Sequence, residues 1–144
     1  MGLDMYLSAR RFIWYNEEDL AQTVSQVFPE LKGLPVKEVV VEAMYWRKAN
    51  AIHKWFVDNI QDGEDDCNYY SVSKEDLAEL RDLILEVLKT RDASKLPPQS
   101  GFFFGNTEVN EWYWQDLEHT AERLTKILDE FPNSKWDFEY HSSW

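Results

Sequence analysis

Cysteine is nearly absent from this chain. Cys67 stands alone among 144 residues, so no internal disulfide can form, and a reducing cytoplasm is the expected compartment. No apolar run approaches the roughly 20 residues that cross a bilayer, so no membrane partner is expected. The opening Met1-Gly2-Leu3-Asp4-Met5-Tyr6 has an acid and no apolar stretch, which does not read as a signal peptide, and Tyr6 stands where a myristoylation site wants Ser or Thr. Glycine and proline number five each, too few for a collagen-like or low-complexity chain. Bases are short as well: 15 Lys and Arg face 27 Asp and Glu, a net charge of −12. Polyphosphate attraction needs a basic surface, so direct nucleic-acid binding is not expected.

Aromatic and acidic residues are plentiful. Eight Phe, seven Tyr and seven Trp load a chain that is 44 % apolar and 29 % charged, the composition of one soluble globular domain over residues 1–144. The acids are lopsided. Residues 1–57 hold seven acids and seven bases, so the whole excess of twelve negative charges falls in 58–144. Such a run is ordinarily a solvated surface. The sharper reading is a face that meets a basic partner.

Hydrophobic period places the elements. Leu3, Met5 and Leu7 alternate with Asp4, Tyr6 and Ser8, as in a half-buried strand. Asn16 precedes three acids and then Leu20, Val24, Val27, Phe28 and Leu31 at helical spacing, which predicts a capped helix. Lys37 to Ala43 reads as a second strand. From Tyr45 to Ile60 the stripe Tyr45, Ala49, Ile52, Phe56 and Ile60 predicts a helix whose mixed edge is Trp46, Asn50, His53 and Val57. Asn68 to Val72 suggests a short strand, and Ser73 with Asp76 a capping box for a helix to about Lys89. Phe102 to Phe104 reads as a short apolar run between glycines, which one alternative reading takes as an oligomerising strand. Thr107 is the expected cap of a last helix carrying Tyr113, Leu117, Ala121, Leu124 and Leu128 inward. Pro132-Asn133 turns the chain into a strand with Trp136, Phe138 and Tyr140 alternating. Four helices and three to four strands without regular βαβ alternation predict an α+β domain with a small antiparallel sheet.

The chemistry-bearing groups are few. Trp46, Asn50 and His53, with Trp112 or Trp114, suggest a ligand pocket that stacks a nucleobase, with His53 as a general base or hydrogen-bonding group. A histidine at such an edge is more often simply satisfied by its neighbours. His119 and His141 lack ligand spacing to Cys67, and the acidic stretch Asp62, Glu64, Asp65 and Asp66 lacks the EF-hand pattern, so no metal and no cofactor are expected. No nucleophile triad is legible, and no catalytic residue is assigned. Trp112 and Trp114 point about 200° apart around a helix, so both cannot be central to its buried face. Exposed Trp beside acids makes Glu108, Glu111, Trp112 and Asp116, together with Asp62, Glu64, Asp65 and Asp66, the expected partner-binding set.

Three stretches taken together carry a resemblance: Tyr45-Trp46-Arg47-Lys48-Ala49-Asn50-Ala51-Ile52-His53-Lys54-Trp55-Phe56, Asp65-Asp66-Cys67, and Ser100-Gly101-Phe102-Phe103-Phe104-Gly105 followed by Glu111-Trp112-Tyr113. The chain resembles a family of small uncharacterised bacteriophage and bacterial proteins, members of which often have Ser at the place of Asn106 and Tyr-Asp at Val109-Asn110. The resemblance implies a phage or mobile-element origin and a bacterial host cytoplasm. Combined with the charge, it suggests a non-enzymatic accessory protein that binds a basic protein or nucleoprotein complex, for example an acidic nucleic-acid mimic inhibiting a host defence complex, as anti-CRISPR proteins do. The alternatives are a small enzyme or nucleotide-binding domain around Trp46, Asn50 and His53, and a structural or oligomeric phage component.

Overall fold

The structure is a computed structural model that describes residues 2–101, 103–131 and 135–144. It is an α+β domain: one four-stranded antiparallel sheet and four helices. The elements run β1 (Asp4–Phe12), α1 (Glu18–Val27), β2 (Glu38–Arg47), α2 (Asn50–Asn59), β3 (Tyr70–Val72), α3 (Lys74–Thr90), α4 (Glu111–Glu130) and β4 (Asp137–Ser143). The sheet order is β2-β1-β4-β3. The turn expected at Pro132-Asn133 lies outside the described residues, as does Phe102.

The period-two pattern of β1 does what it predicts. Leu3, Met5, Leu7 and Ala9 are fully buried, and Phe138 and Tyr140 join them from β4. α2, α3 and α4 supply the other wall of the core. Phe56 of α2 stacks on Tyr140 with ring centroids 3.9 Å apart and planes 6° from parallel. α3 and α4 pack against each other with Leu77, Leu80, Ile84 and Val87 meeting Leu117, Ala121, Leu124 and Ile127 in one core. Each such fully buried aliphatic contributes about 1.5–3 kcal/mol. The opposite sheet face is open. Across it runs a ring row: Tyr45 to Tyr6 (5.4 Å), Tyr6 to His141 (4.7 Å), and His141 to Tyr69 (4.2 Å).

The cap expected at Ser73 forms in full: Ser73 Oγ accepts from Asp76 N at 3.0 Å, and Asp76 Oδ2 accepts from Ser73 N at 2.9 Å. Other expectations need correction. The helix does not begin at Tyr45. Tyr45, Trp46 and Arg47 continue β2, because a bulge between Leu7 and Ser8 carries the pairing with β1 on to Asp4↔Arg47. Lys48 then takes a left-handed conformation (φ 56°), which ends the strand, and α2 starts at Asn50. Trp46 and Tyr45 therefore point to opposite sheet faces, Trp46 inward and Tyr45 outward, rather than lying on one helix. Asn16 caps nothing. Glu17 stands at the N-cap position, and its carboxylate goes to Arg11 Nη2 (2.7 Å) and Trp14 N (3.1 Å) instead of to the helix. α1 forms where the helical spacing predicts, and it buries none of its residues. The last helix is capped by Asn110, whose Oδ1 accepts from Tyr113 N, and not by Thr107. Phe103 and Phe104 belong to a turn rather than a strand, and Phe104 is buried.

Asn50 fixes the long connection between α3 and α4. Its Nδ2 donates to the carbonyls of Phe104 and Asn106, both at 3.0 Å, and its Oδ1 accepts from Gln99 N at 2.9 Å. Tyr113 Oη donates to Leu96 O at 2.7 Å and ties the same connection to α4. These bonds lay residues 96–101 and 103–106 against α2, and that packing shapes two cavities.

Candidate functional site

The two cavities lie along α2. One, about 480 Å³, is reached from the later turns of the helix and holds His53, Asp65, Phe104 and Trp144 at its wall. The other, about 420 Å³, opens between the start of α2 and the first turns of α4, with Asn50, Ile52, Trp112 and Asp116 at its wall.

The first cavity is chemically closed. His53 is fully buried. Asp65 Oδ1 lies 3.0 Å from His53 Nε2, and Tyr140 Oη lies 2.6 Å from His53 Nδ1. A carboxylate only accepts, so Nε2 carries the proton and donates it to Asp65, leaving Nδ1 to accept from the Tyr140 hydroxyl. Trp144 Nε1 donates to the same Asp65 oxygen at 3.0 Å. Burial holds the His53 pKa below its ordinary value, against the opposing charge of Asp65, and raises that of the Tyr140 phenol well above its own. Both ring nitrogens are spent, so a general base has no lone pair left to offer here. The cluster ties α2, the loop after it, β4 and Trp144 together.

The second cavity is not closed. Trp112 and Asp116 sit one helical turn apart on α4, so they share a face. Trp112 is 73 % exposed. Asp116 is half-buried, and burial pushes its carboxyl up to about 6, with His119 one turn on opposing the shift. No hydrogen bond or ion pair to the Asp116 carboxylate forms among the described residues. Two cations, Arg47 and Lys48, lie on the rim, and neither forms an ion pair with Asp116 among the described residues. Arg47 Nη1 lies 3.1 Å from Asp4 Oδ1. The Lys48 stem crosses Gly2 and Gly105: a Cβ on either glycine would meet Lys48 Cε at 3.0 Å or Cδ at 3.2 Å.

The residues singled out from sequence are thus divided. Trp46 lies in the core, its Nε1 donating to Thr120 Oγ1 at 2.8 Å. Asn50 lines the second cavity but is used up by the connection, and His53 belongs to the first cavity. Trp114 faces another way, half-buried, with the Arg91 guanidinium 4.6 Å from its ring centre. Glu108, Glu111, Trp112 and Asp116 gather at the start of α4. Asp62 and Glu64 are exposed in the loop after α2. Asp66 there accepts from Asn68 N (3.0 Å) and Tyr70 Oη (2.7 Å), which lowers its own pKa and pushes the Tyr70 phenol up to about 12. Sequence reading missed the roles of Tyr140 and Trp144, because partners far apart in the chain leave no local pattern.

The larger acidic array is the outer face of α3 and α4. The two helices carry eleven acids against five bases, an excess of six, and nine of those acids are exposed. Among the described residues, no group of three or more His, Cys, Asp or Glu is arranged to hold a metal ion, and no helix is long and apolar enough to cross a membrane. Comparisons with protein families, curated proteins and solved structures return no match.

Proposed function

We propose that this chain is a phage-type accessory protein of the bacterial cytoplasm that acts by binding a protein with a basic surface. The observation that carries the reading is the Asp116 carboxylate: half-buried, without a hydrogen bond or ion pair among the described residues, and one turn from an exposed indole. A desolvated carboxylate without a partner is unfavourable until a cation reaches it, and a lysine or arginine side chain stacking on Trp112 supplies one. The exposed acids of α3 and α4 add long-range attraction for the same partner. That array supports the narrower form of the reading, in which the covered surface of the partner is one that handles nucleic acid. A nucleotide pocket built from Trp46, Asn50 and His53 has less support, since the three side chains are held in three separate hydrogen-bond networks.

The test is capture of a partner from bacterial lysate on the immobilised chain. At low salt a basic protein is retained, a DNA duplex competes for it, and about 0.5 M salt releases it. Asp116→Asn and Trp112→Ala each reduce capture by about tenfold or more. Failure to retain a basic protein at low salt, or capture indifferent to both substitutions, contradicts the reading.

A further inference from the structure

Residues 12–41 carry an apolar surface that the rest of the domain leaves uncovered. Phe12 is 51 %, Trp14 62 %, Tyr15 92 % and Phe28 49 % exposed, and Val27, Leu34, Val40 and Val41 are exposed as well. A groove of about 500 Å³ runs between Phe12–Tyr15, Ala21 and Pro35. α1 is amphipathic yet buries no residue. β2 is an edge strand, and between Glu38 and Glu42 its segment Val39 to Val41 carries neither charge nor proline to discourage pairing.

We propose that this end of the molecule is the interface of a homodimer, two copies joining β2 edge to β2 edge while α1 and Trp14 of each cover valines of the other. Three observations select a second copy as the occupant. The first is area. A fully open aromatic side chain offers about 150–250 Å², so the four rings present roughly 500 Å² at these exposures. With the four aliphatics the patch approaches the ~800 Å² per partner of a standard interface. The second is charge. Residues 1–57 sum to zero whereas 58–144 hold the whole excess of twelve negative charges. The patch itself, residues 12–41, holds five acids against two lysines, so contact through it joins the less acidic ends and keeps the two strongly anionic remainders apart. The third is symmetry: an edge strand paired antiparallel with its own copy satisfies a two-fold axis.

Sedimentation equilibrium on the full chain tests this. The expected species at micromolar concentration has twice the 17.2 kDa chain mass. Val40→Lys and Trp14→Glu each raise the dimer dissociation constant about tenfold or more. Both positions are exposed, so the circular dichroism spectrum stays unchanged. Trp112→Ala remains dimeric. A wild-type chain that stays at 17.2 kDa up to its highest soluble concentration overturns the proposal, as does a dimer whose dissociation constant neither Val40→Lys nor Trp14→Glu alters.

Discussion

Asp65 and Asp116 are both half-buried carboxylates beside aromatic rings, one for each cavity along α2, and they are used in opposite ways. Asp65 receives two N–H donors, from His53 and Trp144, and its network closes on Tyr140. Asp116 receives none from the described residues. A polar cluster whose donors and acceptors are matched inside the fold holds that fold together and has little left to give a ligand. A carboxylate that burial has partly desolvated, without an internal partner, is instead free to gain from an external cation. The difference lies in hydrogen-bond bookkeeping and not in residue type, since each site pairs an Asp with a Trp.

Substitutions should therefore separate stability from binding at the two places. The largest stability effect is expected at the closed site. His53→Ala opens a buried gap and leaves the Tyr140 hydroxyl unpaired, costing on the order of 3 kcal/mol in urea unfolding, while partner capture by the folded fraction is unchanged. Next comes Asp116→Asn, with the opposite sign. The folded pKa of Asp116, about 6, is above the ordinary carboxylate value, so the native state binds a proton the unfolded chain has released. Its contribution to stability is present below pH ~4 and lost as pH rises through about 6. Asp116→Asn should accordingly stabilise the chain at pH 8, on the order of 1 kcal/mol after allowing for solvent screening, and the gain should vanish near pH 4. Capture falls although stability rises.

His53 gives the counter-slope. Its folded pKa is depressed by burial, so its contribution is present above the unfolded value near 6.5 and lost as pH falls below it. Wild-type stability should drop on acidification below that point, and His53→Gln should flatten the drop; an unchanged acid limb in chemical denaturation contradicts the assignment. The smallest stability effect is Trp112→Ala, within about 0.5 kcal/mol because the ring is exposed, with the binding loss intact.

Much of the architecture was readable from short-range pattern. Period two placed Leu3, Met5 and Leu7, and Phe138 and Tyr140, on the inner sheet face, and Ser73 with Asp76 announced the start of α3. The error at Tyr45 to Arg47 arose because the spacing of Tyr45, Ala49 and Ile52 fits a helix, while pairing with β1, set by residues some 40 positions earlier, decided for strand. The stripe of α1 correctly reports a face that seeks cover, but a stripe does not say which chain provides it. The candidate site was half legible. Trp112 and Asp116 share a face by their spacing of four. That Asp116 is unmatched and Asp65 matched depends on which side chains the fold brings near, and no spacing rule encodes that.

The most direct test of the central claim is an NMR titration of the ¹⁵N-labelled chain with an arginine-rich peptide at low salt. Saturable shifts of the Trp112 indole and the Asp116 amide are expected, fading as salt is raised and disappearing in Asp116→Asn. Shifts centred on Asp65, His53 and Trp144, with Trp112 and Asp116 unmoved, would contradict that claim.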